Sequence, residues 1–185
     1  MPMIRVMPPL LAGDVVRLRQ WGEGDVAGLV AAFGDPVMRR YSWRDEPMTE
    51  VDAREHLAGM EAALLQGEAF HMAVVEAGRP APLLGGVSVH EIRLDRGTAA
   101  VGYWLGPQGR GRGAATQAVR LMAGWAFDEL GLARLELTCG PDNTASQRVA
   151  ERCGFVREGL LRSHMPFRGS RRDSLIYGLL RGELH

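Results

Sequence analysis

The chain has 185 residues, 46% apolar and 24% charged, with acids and bases at 22 each, so its formal net charge is zero. That length fits one domain, residues 1–185, with a full hydrophobic core. The neutral balance excludes bulk binding to nucleic acid or an anionic membrane, which needs a basic excess, and leaves little charge repulsion against a homodimer.

At the N-terminus, MPMIRVMPPLLAGD breaks its only apolar patch with prolines. Neither a secretory signal nor a membrane span is read there or further along. Val15–Trp21 alternates apolar and polar residues and predicts a strand. Asp25 is positioned to cap a helix with Val26, Leu29, Val30 and Phe33 at helical spacing, and Gly34-Asp35-Pro36 ends it. Thr49-Glu-Val-Asp52 resembles a capping box and opens a second helix with Ala53, Leu57, Met60 and Leu64 on its apolar stripe. Phe70–Val75 and Leu83–Ile92 read as strands joined by the turn-rich AGRPAP, and Ala99–Leu105 as a third.

Gly106–Gly113 is a loop holding four glycines and a proline. A long helix follows with Ala115, Ala118, Met122, Trp125 and Ala126 on one face, stopped by Gly131. Leu132–Thr138 is a strand. Pro141-Asp142-Asn143 opens a helix carrying Ala145, Val149 and Cys153, with Gly154 just past its end. Strands around Phe155–His164 and Ser174–Leu180 finish a mixed α/β sheet. Cys139 and Cys153 stand in no metal-ligand spacing, so no metal is expected and a reduced, cytoplasmic chain fits. Every base is an arginine, which excludes a Schiff-base or P-loop lysine.

The loop is the informative segment. A helix's first amides lack internal partners and carry partial positive charge, and glycines let a ligand approach the backbone. Successive amides then face one concavity that suits a pyrophosphate, with Arg110 and Arg112 as two added charges. The plainer reading is a surface loop with two solvated arginines. Gly109-Arg-Gly111-Arg-Gly-Ala114 also matches the G-x-G-x-x-A dinucleotide pattern, but the next strand ends Leu137-Thr138-Cys139 without the carboxylate that pattern wants.

The same residues contain Gln108-x-x-Gly111-x-Gly113, the Q/R-x-x-G-x-G/A signature of GNAT acetyltransferases. The run VGYWLGPQGRGRGAATQAV, WAFDELGLARLEL and PDNTASQRVAERCGFVREG resembles the RimJ/RimL-like branch, which acetylates ribosomal-protein N-termini. The resemblance implies a mostly antiparallel twisted sheet with a splayed parallel strand pair, flanked by helices. It implies acetyl-CoA as co-substrate, with Tyr103, Trp104 and Leu105 along the pantetheine and thioester. Gln108, Gly109, Arg110, Gly111, Arg112, Gly113, Ala114 and Ala115 would cradle the phosphates. Asn143 would bond the pantetheine arm, and Ser146 would protonate the departing thiolate. Asp142 or Asn143 also reads as the helix cap, which is compatible with that contact, and Arg148 and Arg152 either help near the nucleotide or form a solvated helix face, the favoured reading.

The chain departs from the family at Ala100, where many relatives carry a glutamate proposed as general base. His90 and Glu91 at a strand end, His71 and His164 are the substitutes; water-mediated deprotonation without one essential base is the leading expectation. Asp173 is expected to meet a cationic acceptor or to pair with Arg171 or Arg172. The favoured acceptor is a protein or peptide α-amino group. A small amine, amino acid or antibiotic acceptor stays open, as does a non-catalytic acyl-CoA-binding module.

Overall fold

The computed structural model describes residues 9–42, 44, 46–79 and 82–185. The proline-broken start and part of the AGRPAP turn therefore lie outside the described residues. Eight strands form one sheet: β1 (Leu11–Ala12), β2 (Val16–Arg19), β3 (Phe70–Glu76), β4 (Leu83–Arg93), β5 (Thr98–Leu105), β6 (Arg134–Cys139), β7 (Val156–Phe167) and β8 (Ser170–Leu180). Their order is β1-β2-β3-β4-β5-β6-β8-β7. Every neighbouring pair is antiparallel except β5 and β6, which are parallel and in register only at Thr98–Ala100 against Arg134–Glu136. Beyond Ala100 the two strands part, so the end of β5 has a neighbour on one side only.

Helices α1 (Val26–Gly34), α2 (Pro36–Tyr41) and α3 (Glu50–Gln66) precede β3; α4 (Ala114–Glu129) follows β5, and α5 (Thr144–Arg152) follows β6. Successive side chains of a strand leave opposite faces. Tyr103 and Leu105 accordingly join the main core with α4, whereas Trp104 joins the smaller cluster of Val26, Leu29 and Phe33 from α1. Ala115, Ala118, Met122, Trp125 and Ala126, the stripe expected on α4, are all buried. Phe70 meets the Trp125 ring edge-on at 4.8 Å.

Local chemistry explains most boundaries. Thr49 Oγ1 accepts from the Asp52 amide at 3.2 Å, and Asp52 Oδ2 accepts from the Thr49 amide at 2.8 Å, which closes the capping box. Gly67, Gly131 and Gly154 take positive φ just past helices, where a side chain would be strained. One expectation needs correction. Asp25 makes no side-chain cap bond; it is buried, accepts a bidentate pair from Arg19 at 2.7 Å, and also accepts from the Gly22 amide. Gly34-Asp35-Pro36 ends α1 as expected, and the same residues start α2: Asp35 caps that helix by accepting from the Met38 amide, and Pro36 fills its first position, where no amide is needed. The last hairpin is longer than expected because Arg168 and Gly169 both take positive φ and close β7 directly onto β8. Asp173 accepts from the Ser163 amide at 2.7 Å across that hairpin, while Arg171 donates to the Ser163 and His164 carbonyls.

Candidate active site

The parting of β5 from β6 opens a cleft of about 610 Å³. Tyr103, Trp104 and Leu105 form one wall, and the loop with the first turn of α4 forms its end. Asn143 to Ser146, Arg148, Val149 and Arg152 of α5 face them, and Val37, Met38 and Tyr41 of α2 close the side. Gly109, Arg110, Gly111, Gly113, Ala114 and Ala115 all line this cleft. Gln108 is exposed on the short 3-10 turn Pro107–Gly109 and is not among the lining residues.

Gly111 and Gly113 adopt φ of 74° and 76°, so the backbone turns in a way that other residues resist. Gln117 donates the first bond of α4, to the Gly113 carbonyl at 3.0 Å. The amides of the turn before it have no helical acceptor and belong to residues that line the cleft. Unpaired amides grouped in this way can bind an anion with several oxygens.

The two loop arginines have different positions. Arg110 donates to Asp35, the cap of α2, and to the Leu105 carbonyl at 3.0 Å, so its guanidinium ties the loop to α2. The same bond holds the Asp35 carboxyl below the usual carboxylate range. Arg112 is turned away from the cleft; it meets Glu76 at 3.4 Å and lines a second cavity of about 330 Å³ with Asp14 and Leu84.

At the other end of the cleft, the Tyr103 hydroxyl donates to Ser146 Oγ at 3.0 Å. Ser146 is 9% exposed, and its amide donates to Asn143 Oδ1 at 3.1 Å, so Asn143 is the helix cap. Burial pushes the Tyr103 phenol far up, against the smaller opposing effect of its bond to Ser146. Tyr103 is therefore a neutral donor throughout the physiological range. With its oxygen lone pair engaged by Tyr103, Ser146 keeps its own hydrogen for a second partner. Sequence reasoning found Ser146 and Tyr103 separately and missed that they bond. The alternation of β5, which sends odd residues toward the α5 side, was the available signal.

The opposite face of β5 is aromatic and imidazole-rich. Trp104 stacks on Trp21 at 6.1 Å between ring centroids, and Phe33 meets it edge-on at 5.5 Å. A Cβ on Gly86 would come within 2.8 Å of Trp104 Nε1 and 2.9 Å of Trp21, so only glycine admits this stack. His90 lies opposite Ala100, and His71 opposite Ser88. Burial lowers His71 to about 4, aided by the nearby His90 and His56. Burial also lowers His90 and His56, the latter on α3 and absent from the sequence reading. Glu91 does not join His90: it is exposed, at φ 52°, inside the register break between His90 and Arg93. His164 lies on β7, and neither it nor His71, His90 or Glu91 lines the cleft.

Cys139 and Cys153 are buried and free. Among the described residues no group of three or more His, Cys, Asp or Glu side chains could hold a metal ion, and no helix is long and apolar enough to cross a membrane.

Residues 16–156 match the acetyltransferase (GNAT) domain family. The uncharacterized N-acetyltransferase YoaA of Bacillus subtilis (strain 168) is 27% identical over 175 residues, 95% of this chain and 98% of YoaA. The ribosomal-protein-serine acetyltransferase of Escherichia coli (strain K12) is 29% identical over 126 residues, 68% of this chain and 69% of that enzyme. Among solved structures, Mycobacterium smegmatis RimJ in complex with CoA-disulfide shares the fold, with a TM-score of 0.82 at 24% identity over 91% of this chain and 83% of that one. Strand order, parted parallel pair and matched residues agree: the chain belongs to the GNAT acetyltransferase family.

Proposed function

We propose that this N-acetyltransferase moves the acetyl group of acetyl-CoA to the α-amino group at a protein or peptide N-terminus. The observation that carries this reading is one cleft with an amide-lined glycine loop at one end and the Tyr103–Ser146 hydroxyl pair at the other. The diphosphate of CoA fits the amides of Gly109 to Ala115, with Arg110 bracing the loop. The pantetheine arm fits along Tyr103, Trp104 and Leu105, facing Asn143. In this reading the thioester sulfur ends beside Ser146, and its hydroxyl stabilises the departing thiolate by a hydrogen bond. Direct proton transfer from Tyr103 is disfavoured because its phenol is a far weaker acid than a thiol.

The acceptor class rests on two supports. One relative carries the name ribosomal-protein-serine acetyltransferase. An α-amino group also has a pKa of about 7.7–8.0 against about 10.4 for lysine, so near neutrality it offers a free lone pair to a site with only weak bases. The test is thiol release from acetyl-CoA with peptides of one sequence, either free or blocked at the N-terminus and each carrying an internal lysine. Release with the free peptide alone is expected. Equal release from the blocked peptide would refute the α-amino assignment.

A further inference from the structure

Three cross-strand pairs on the Trp104 face join β4 to β5, and two of them set a small residue of β5 against a polar one of β4. Gly86 stands opposite Trp104, Ser88 opposite Gly102, and His90 opposite Ala100. Directly opposed residues of an antiparallel pair share a face, so the imidazole stands beside the Ala100 methyl. It also leans over Gly102, where an added Cβ would lie 3.1 Å from His90 Cε1 and 3.3 Å from Ser88 Oγ. His90 Nδ1 is 3.3 Å from Ser88 Oγ, and Ser88 donates onward to the Gly102 carbonyl at 3.5 Å. In the tautomer with its hydrogen on Nδ1, Ser88 Oγ accepts that hydrogen and Nε2 carries the free lone pair.

We propose that His90, oriented by Ser88, accepts the proton of the attacking amine through a bound water, from the place across the strand pair from Ala100. This rests on the acetyl-transfer reading above. The amine lone pair forms the N–C bond while the carbonyl π pair moves onto oxygen. The N–H proton passes through the water to Nε2, and collapse of the oxyanion breaks the C–S bond. The thiolate takes a proton from solvent beside Ser146, and His90 returns its own to solvent, so atoms and charge balance. The titratable neighbours are Glu91 beside His90 on β4 and His71 on β3, with His56 of α3 beyond His71 and Arg44 beyond that. Glu91 opposes the lowering of His90 but does not overcome burial, so the imidazole is neutral and able to accept a proton at pH 7.

The experiment compares the full chain with His90→Gln, His90→Ala and the double variant His90→Ala/Ala100→Glu, using acetyl-CoA and a peptide with a free N-terminus. Both single variants should lose about 100-fold in kcat, the usual scale for a positioned base, with CoA affinity by calorimetry unchanged. The acidic limb of the kcat/KM pH profile, lying below the ordinary imidazole range, should disappear with the ring. A carboxylate at position 100 projects to the same place, so the double variant should recover about tenfold or more of the lost rate. Rescue cannot come from a purely structural role of His90. Single variants with wild-type kcat and an intact acidic limb would overturn the proposal, as would the lost rate without rescue by the double variant. A wild-type chain that binds no CoA would overturn the acetyl-transfer reading, and this inference with it.

Discussion

Hydroxyl and imidazole chemistry is segregated by the alternation of β5. Tyr103 faces Ser146 across the cleft, while Ala100 and Gly102 face His90 and Ser88 on the other side. On the proposed reading, removing the Ser146 hydroxyl deletes the donor to the developing thiolate. Ser146→Ala should lower kcat about 10- to 100-fold while leaving the CoA dissociation constant nearly unchanged, a split measured by steady-state kinetics and calorimetry. The histidines also set a pH dependence of stability. His71 binds its proton only near pH 4 when folded, but near the ordinary imidazole value of about 6.5 when unfolded. Between those values the unfolded chain holds more protons, so stability rises with pH through that window and is fully present above it. Urea midpoints should therefore be lower at pH 5 than at pH 7, and His71→Gln should flatten the difference; an unchanged slope would remove His71 from the account.

The Thr49–Asp52 capping box and the glycine stops are the features most legible in the sequence, because each is set by near neighbours in the chain. Thr49→Ala should cost about 1 kcal/mol and lower Tm by about 2–4 °C for a chain of this size. Helix α2 was hidden for the opposite reason. Gly34-Asp35-Pro36 ends α1, but Asp35 and Pro36 are also the cap and first residue of a new helix, and the same letters serve both roles. Arg110 was legible as a loop charge, but not as the strut to Asp35, because 75 residues separate the pair. The turn of the last hairpin was likewise obscured by Arg168, a residue type that seldom takes positive φ. At the head of α4, Gly113→Val forces a branched side chain into the left-handed region, at a cost of about 1–2 kcal/mol. That variant should lose both melting temperature and CoA affinity, whereas Thr49→Ala should lose melting temperature alone.

In the molecule as a whole, the glycine loop and the two later helices could be read directly, but the cleft could not. It exists because β6 pairs with β5 at three positions and then leaves it, a consequence of chain crossing and twist that no local pattern records. The partnership of Tyr103 with Ser146 and the register of His90 on Ala100 depend on the same assembly. What the family signature supplied was the expectation of a splay; the strand pairing then fixed which side chains flank it. On the proposed reading, the amides from Gly109 to Ala115 hold the diphosphate of CoA. Titration calorimetry of CoA into the purified chain tests this most directly. One-to-one binding is expected, weakened in Gly113→Val and retained in His90→Gln. No heat from CoA or acetyl-CoA at millimolar concentration would contradict it.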